Sequence, residues 1–305
     1  MTTMNDAVEF KGLWPALFTP VKNDGTVNEK ELEKMIELIV EQKLDGIYLL
    51  GSTGQGFLYS ESERMHIAKL SLEIVNKRLP VIVQVGAMST DESVRLAKHA
   101  EAHGADGISS VGPIYYAASP AMGMAHYSKI AGAIKIPFFP YQIGNSPMTD
   151  EMIMQLLNIP NVKGLKLTTN SMLDISAIRI KSQGKLLLFS GADELICQAA
   201  VCGTIGAIGS TYNLFGPVCQ YVRKEFLNGN VQLGIDFMLE FQELILEILP
   251  CIWTFFHRGM LLRHGIDIGT PKAPLLAPEL KWSDEELMRR INKVESFMPK
   301  SWFNF

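Results

Sequence analysis

Lys166 lies near the end of a short apolar run, Val162-Lys163-Gly164-Leu165-Lys166-Leu167-Thr168-Thr169. A strand that carries an amine into a dry interior makes a nucleophile. Desolvation disfavours the ammonium, lowers its pKa and leaves a free amine that can form a Schiff base with a ketone. A lysine at a strand end is also commonly a solvated tip, so the chemistry depends on partners elsewhere in the chain. Candidate partners are Ser52 and Thr53 in Gly51-Ser52-Thr53-Gly54, Tyr115 and Tyr116, Tyr141, Thr168, Gly191 to Glu194, and Ser210 to Asn213. Gly-Ser-Thr-Gly reads as a turn before a helix or as a carboxylate cradle of N–H groups and hydroxyls. Tyr141 reads as a core aromatic or as an acid/base. Asp193 and Glu194 read as first-turn acids facing a helix dipole or as acceptors for substrate hydroxyls.

The elements that must position these residues repeat along the chain. Strand-like apolar runs recur eight times, at Gly12–Thr19, Gly46–Leu50, Val81–Val85, Gly107–Val111, Pro137–Tyr141, Gly164–Thr168, Leu186–Ser190 and Gly206–Gly209. Helical patterns separate them. Leu32, Met35, Ile36, Ile39 and Val40 form one stripe, Ser60-x-x-Glu63 is a capping box, and Ser89-Thr90-Asp91-Glu92 opens a helix that Gly104 ends. Asp150 to Leu157 and Asp193 to Val201 follow the same rhythm. Continuous apolar strands alternating with helices predict a parallel sheet buried on both faces. Eight units in about 210 residues predict an α/β fold, a closed (β/α)8 TIM barrel, and no GxGxxG favours an open doubly wound sheet. After Pro217 the chain reads as all-helical to about Met298. The predicted organisation is a barrel core over 1–217. Residues 218–305 form C-terminal helices packed on it, including its last helix, and the whole is a single domain. In such a barrel the candidate residues all fall at strand ends on one mouth, where nucleophile, acid/base, anion cradle and polar grips converge.

Composition is that of a globular enzyme: 47% hydrophobic and 20% charged residues, with a net charge of −4. That balance offers no electrostatic case for nucleic acid or an anionic membrane. The segment Met1 to Glu9 has no apolar h-region, and the greasiest stretch, Leu244 to Phe256, contains Glu247 and Pro250 and is too short to span a bilayer. Cys197, Cys202, Cys219 and Cys251 form no CxxC pair and read as reduced thiols of a cytoplasmic protein. The six histidines carry no metal signature, and His99 with His103 reads as a solvated helix face.

Gly51-Ser52-Thr53-Gly54, Tyr141 and Gly164-Leu165-Lys166 together resemble the pyruvate-dependent class I aldolases, the family of N-acetylneuraminate lyase and dihydrodipicolinate synthase. The resemblance runs from Gly12 to about Lys293. Three segments are closer to the lyase branch: Phe189 to Glu194, Gly206 to Asn213, and Pro113-Ile114-Tyr115-Tyr116 through His126-Tyr127. Thr168, two residues after the lysine, also matches that branch. The synthase branch usually carries an arginine shortly after the strand-5 tyrosine, and Tyr141 to Pro147 has none. The chain departs from the family at Gln55, where Glu is usual, and at Gly144-Asn145, near which a proline is usual. Both departures bear on the substrate more than on the chemistry.

The resemblance implies retro-aldol cleavage of N-acetylneuraminate to pyruvate and N-acetylmannosamine through a covalent Schiff base on Lys166, with no metal or organic cofactor. Ser52 and Thr53 would hold the carboxylate of the 2-keto acid, and Tyr141 would move protons. Tyr115 would reach a neighbouring subunit and complete a hydroxyl relay with Ser52 and Tyr141 in a homotetramer. Thr168 would bind substrate, and Gly191, Asp193, Glu194 and Ser210 would hydrogen-bond the polyol tail. Competing expectations are dihydrodipicolinate synthase, another aldolase with a different aldehyde, and a non-catalytic barrel sensing sugar acids.

Overall fold

The computed structural model describes residues 9–116, 119–144 and 148–303. Eight strands, β1 (Gly12–Pro15), β2 (Ile47–Leu49), β3 (Val81–Gln84), β4 (Gly107–Val111), β5 (Phe138–Ile143), β6 (Gly164–Thr168), β7 (Leu187–Ser190) and β8 (Gly206–Gly209), form one parallel sheet. Between them lie α1 (Glu29–Glu41), α2 (Glu61–Val75), α3 (Thr90–Ala102), α4 (Pro120–Ala131), α5 (Asp150–Leu157), α6 (Met172–Lys181) and α7 (Ile196–Val201). They are followed by α8 (Tyr212–Leu227), α9 (Val231–Ile248), α10 (Ile252–His264) and α11 (Asp284–Glu295). β1 pairs with β8 in register Gly12↔Gly206, and the sheet closes between β1 and β2 through an Ala16↔Tyr48 bridge. The fold is the predicted (β/α)8 barrel.

The two-residue period of each strand sorts the core into two shells. Trp14, Tyr48, Ile82, Phe139, Phe189 and Ile208 point inward and plug the barrel, with Phe10 packed among them. The intervening residues, such as Leu13, Ile47, Leu49, Val83, Leu165, Leu167 and Leu188, face outward against the helices. Both shells are dry, which is why the strands read as unbroken apolar runs. Local signals set the helix starts as predicted. Asn28 caps α1, Ser60 and Glu63 form the reciprocal capping box of α2, and Ser89 caps α3. Gly104, at φ +88°, follows the C-cap of α3.

Four features differ from expectation by more than a residue at a strand end. β1 stops at Pro15: the Ala16 N–H still donates to the Gly209 carbonyl of β8, but the Leu17 N–H donates to the Tyr48 carbonyl across the closing seam. β5 runs on to Ile143, paired with Thr168. Asp193 to Leu195 is a 3-10 turn ahead of α7, since the Asp193 carboxylate is engaged by Thr211 and caps nothing. The C-terminal part is not all-helical: Pro217 lies inside α8, and residues 265–283 form an irregular strap. The strap is tied to the barrel by main-chain bonds. Val21 N–H donates to the Ile268 carbonyl, Asp267 N–H to Glu31, and Lys272 N–H to Gln55 Oε1 at 2.6 Å. Among the described residues, no helix is long and apolar enough to cross a membrane.

Candidate active site

Lys166 is on β6 with Tyr141 of β5 on one side and Phe189 of β7 on the other. Its inward parity sends the side chain into the barrel, where it is 5% exposed. The Nζ lies 4.2 Å from the ring centroid of Tyr48 and 4.4 Å from that of Tyr141. Burial drives its pKa down to about 7, against a smaller opposing pull from Asp193. A substantial share of this amine is therefore uncharged at neutral pH.

The Tyr141 hydroxyl and Thr168 Oγ1 are 3.0 Å apart. Burial raises the Tyr141 pKa, opposed by the Thr168 hydrogen bond, so the group is a neutral phenol in the working range. Gly191 leaves room for this pair: a Cβ there would overlap Thr168 Oγ1 and sit 3.3 Å from Lys166 Cε. Asp193 is buried beside Gly209, and its Oδ2 accepts from the Thr211 N–H at 2.9 Å and the Thr211 hydroxyl at 2.7 Å. Its Oδ1 is buried with no hydrogen-bond partner. Burial raises the Asp193 pKa to about 6, and the Thr211 bonds pull the other way. The Asp193 Oδ1 lies against Gly209, where a Cβ would overlap it.

The Gly51–Gly54 segment is a tight turn on the same mouth. Ser52 carbonyl accepts from Gln55 N–H, and Gly51 carbonyl accepts from Gly56 N–H. The N–H groups of Ser52, Thr53 and Gly54 donate to no acceptor among the described residues. Gln55 takes the left-handed conformation, φ 55°, and a Cβ at Gly56 would overlap the Leu50 carbonyl. Gln55 is buried, and its Oε1 ties the turn to the strap through Lys272 N–H.

The remaining predicted residues are placed less tightly. Ser52 is exposed, while Thr53, Glu194 and Ser210 are half-buried at the mouth. The Glu194 carbonyl accepts from Gln242 of α9, which holds the turn after β7. Tyr115 is 76% exposed and packs edge-on against Tyr116 beside a groove of about 650 Å³ that reaches Tyr141. It does not join Ser52 and Tyr141 within one chain. Asn145, one of the departures noted above, lies outside the described residues. His99 and His103 stack at 4.0 Å away from the mouth, and no cluster of three metal-ligating side chains occurs among the described residues.

Residues 9–282 match the model of the dihydrodipicolinate synthetase family. The chain belongs to that family. Among its relatives in the family is an N-acetylneuraminate lyase from Citrobacter koseri, 31% identical over 297 residues, covering 93% of this chain and 99% of the relative. The equivalent enzyme from Escherichia fergusonii is also 31% identical, over the same shares. Among solved structures, N-acetylneuraminate lyase from Aliivibrio salmonicida superposes with a TM-score of 0.84 at 28% identity, covering 95% of this chain and 97% of that one. This member of the dihydrodipicolinate synthetase family is an aldolase-type lyase.

Sequence reading missed two parts of the site. Tyr48, in contact with Lys166, passed as one more apolar residue of strand 2. Its position in an alternating strand, three before Gly51, was the available signal for an inward aromatic at the level of the lysine. The strap was invisible because its bonds to Gln55, Glu31 and Val21 span more than 200 residues.

Proposed function

We propose that this chain cleaves N-acetylneuraminate to pyruvate and N-acetylmannosamine through a Schiff base on Lys166. The observation that carries the reading is the buried Lys166 amine, its pKa lowered to about 7 by burial, with the Tyr141–Thr168 hydroxyl pair beside it. The neutral amine adds to C2 of the open-chain 2-keto acid, and the carbonyl oxygen leaves as water, taking one proton from the nitrogen and one from solvent. The nitrogen keeps one proton, giving an iminium. Tyr141 accepts the C4 hydroxyl proton as its own passes to the substrate carboxylate. C4 becomes the aldehyde carbon, and the electron pair of the C3–C4 bond moves into the enamine. Protonation at C3 and addition of water then release pyruvate and regenerate the amine.

The free N–H groups of the 52–54 turn, with the Ser52 and Thr53 hydroxyls, hold the keto-acid carboxylate. Thr168, Gly191, Asp193, Glu194 and Ser210 border the space for the sugar tail. The sequence of steps calls for no metal or organic cofactor. The exposure of Tyr115 beside the groove next to Tyr141 fits its reaching the site of a neighbouring copy in a homotetramer. The four unpaired cysteines fit a cytoplasmic location.

Incubation of the purified protein with N-acetylneuraminate should release pyruvate, and the Lys166→Ala protein should release none. If neither protein releases pyruvate, the sialic acid assignment falls. Borohydride trapping with pyruvate then separates an aldolase for another aldehyde, which forms the adduct, from a non-catalytic barrel, which does not. Asp193→Ala should raise the KM for the sugar acid by roughly 10- to 100-fold, the loss of a hydrogen bond to a charged group. It should leave the pyruvate adduct intact, and failure of adduct formation in this variant would overturn the division between tail-binding and imine-forming groups.

A further inference from the structure

Tyr48 touches both working parts of the site. Its ring face is 4.2 Å from Lys166 Nζ, and the Tyr141 ring lies 4.4 Å from the same atom, so the nitrogen lies against two aromatic faces. Its edge meets the carboxylate turn, since a Cβ at Gly51 would sit 2.7 Å from Tyr48 Cε1. The ring cannot drift: it is fully buried in the barrel plug, and its hydroxyl donates to Ser109 Oγ of β4 at 3.1 Å. A tyrosine hydroxyl could have been aimed at the substrate, but here it is spent on a strand, which leaves the π face as the part presented to the amine.

We propose that Tyr48 is a catalytic residue whose ring face stabilises the iminium cation on Lys166, while its edge fixes the spacing between that nitrogen and the Gly51–Gly54 turn. The role rests on Lys166 being the imine-forming residue. When the neutral amine becomes a protonated imine, a positive charge appears at a buried atom, and the quadrupole of an aromatic face is suited to receive it. Serine or threonine at position 48 could not act so, and an aliphatic residue would fill the space without holding the charge. The charged and titratable groups around the nitrogen are Asp193, Tyr141 and Tyr48, and Arg64 acts electrostatically on Tyr48.

The charge argument makes a pH-dependent prediction that a packing role does not share. Below pH about 7 the free Lys166 is itself an ammonium, so the cation exists before and after imine formation and the ring favours both alike. Above it the cation is created by the reaction, and the ring favours the product alone.

The test is the equilibrium constant for imine formation with pyruvate alone, read by borohydride trapping and intact mass at pH 6 and pH 8.5. Phenylalanine and its mono-, di- and trifluorinated forms would be installed at position 48 in the full chain. These keep the shape of the ring and weaken its negative face stepwise. The imine constant at pH 8.5 should fall steadily with fluorination, by about tenfold over the series, and should change by less than twofold at pH 6. A flat series at pH 8.5, or an equal fall at both pH values, would overturn the proposal. Should phenylalanine at 48 fail to fold, the same ladder built on tyrosine keeps the Ser109 bond and gives the same readout. Native protein forming no adduct with pyruvate would instead refute Lys166 as the imine former, a distinct outcome from a flat series on an adduct that forms.

Discussion

The Lys166→Ala protein is expected to show no turnover and no borohydride-stable adduct with pyruvate. Described side chains around the site offer no second amine in Lys166's position, on β6 and against Tyr48 and Tyr141. Retained cleavage in that variant would refute the Schiff-base assignment. The same burial that activates the amine costs the fold stability, which gives an independent readout. An unfolded lysine titrates near 10.5, while the folded one titrates near 7. Between those values the unfolded state binds more protons, so native stability from this group rises with pH through that window. Below about 7 the penalty is constant and at its largest. Lys166→Met, of similar length and no charge, should therefore be more stable than the native protein at pH 7, by on the order of 3 kcal/mol. The gap should shrink towards pH 10. Urea unfolding of both proteins at the two pH values measures it. A variant less stable at both would mean the amine is better solvated than its burial indicates.

Tyr141→Phe should lower kcat by about 10²–10⁴ while changing the KM for the sugar acid by less than about threefold. The ring packs on Lys166 in either case, so the variant removes only the hydroxyl and its 3.0 Å contact with Thr168. A phenol held neutral by burial is unsuited to act as a standing base, but it can pass one proton on as it accepts another. Its loss should therefore slow bond cleavage without preventing imine formation, so the variant should still give the pyruvate adduct. A change confined to KM would make Tyr141 a binding group. A loss of the adduct would move its role to imine formation.

The chain by itself determined the alternation of strands and helices, because that depends on local periodicity and caps. Ser60 with Glu63, and the stripe from Leu32 to Ile39, fold much as their spacing dictates. The barrel mouth was legible too: once strands are parallel and successive, the residues after each strand share one face, which brings Ser52, Tyr141, Lys166 and Asp193 together. Tertiary structure decided what those residues can do. The depressed Lys166 pKa arises from burial against Tyr48 of β2 and Tyr141 of β5, both supplied by other strands. The Asp193 carboxylate is held by Thr211, which directly follows β8, through Oδ2 while Oδ1 has no partner. Tyr48 gains its position from closure of the barrel between β1 and β2, and Gln55 is fixed by a strap more than 200 residues away. Periodicity and capping act within a few residues, whereas desolvation and the pairing of buried polar groups are set by every chain segment around them.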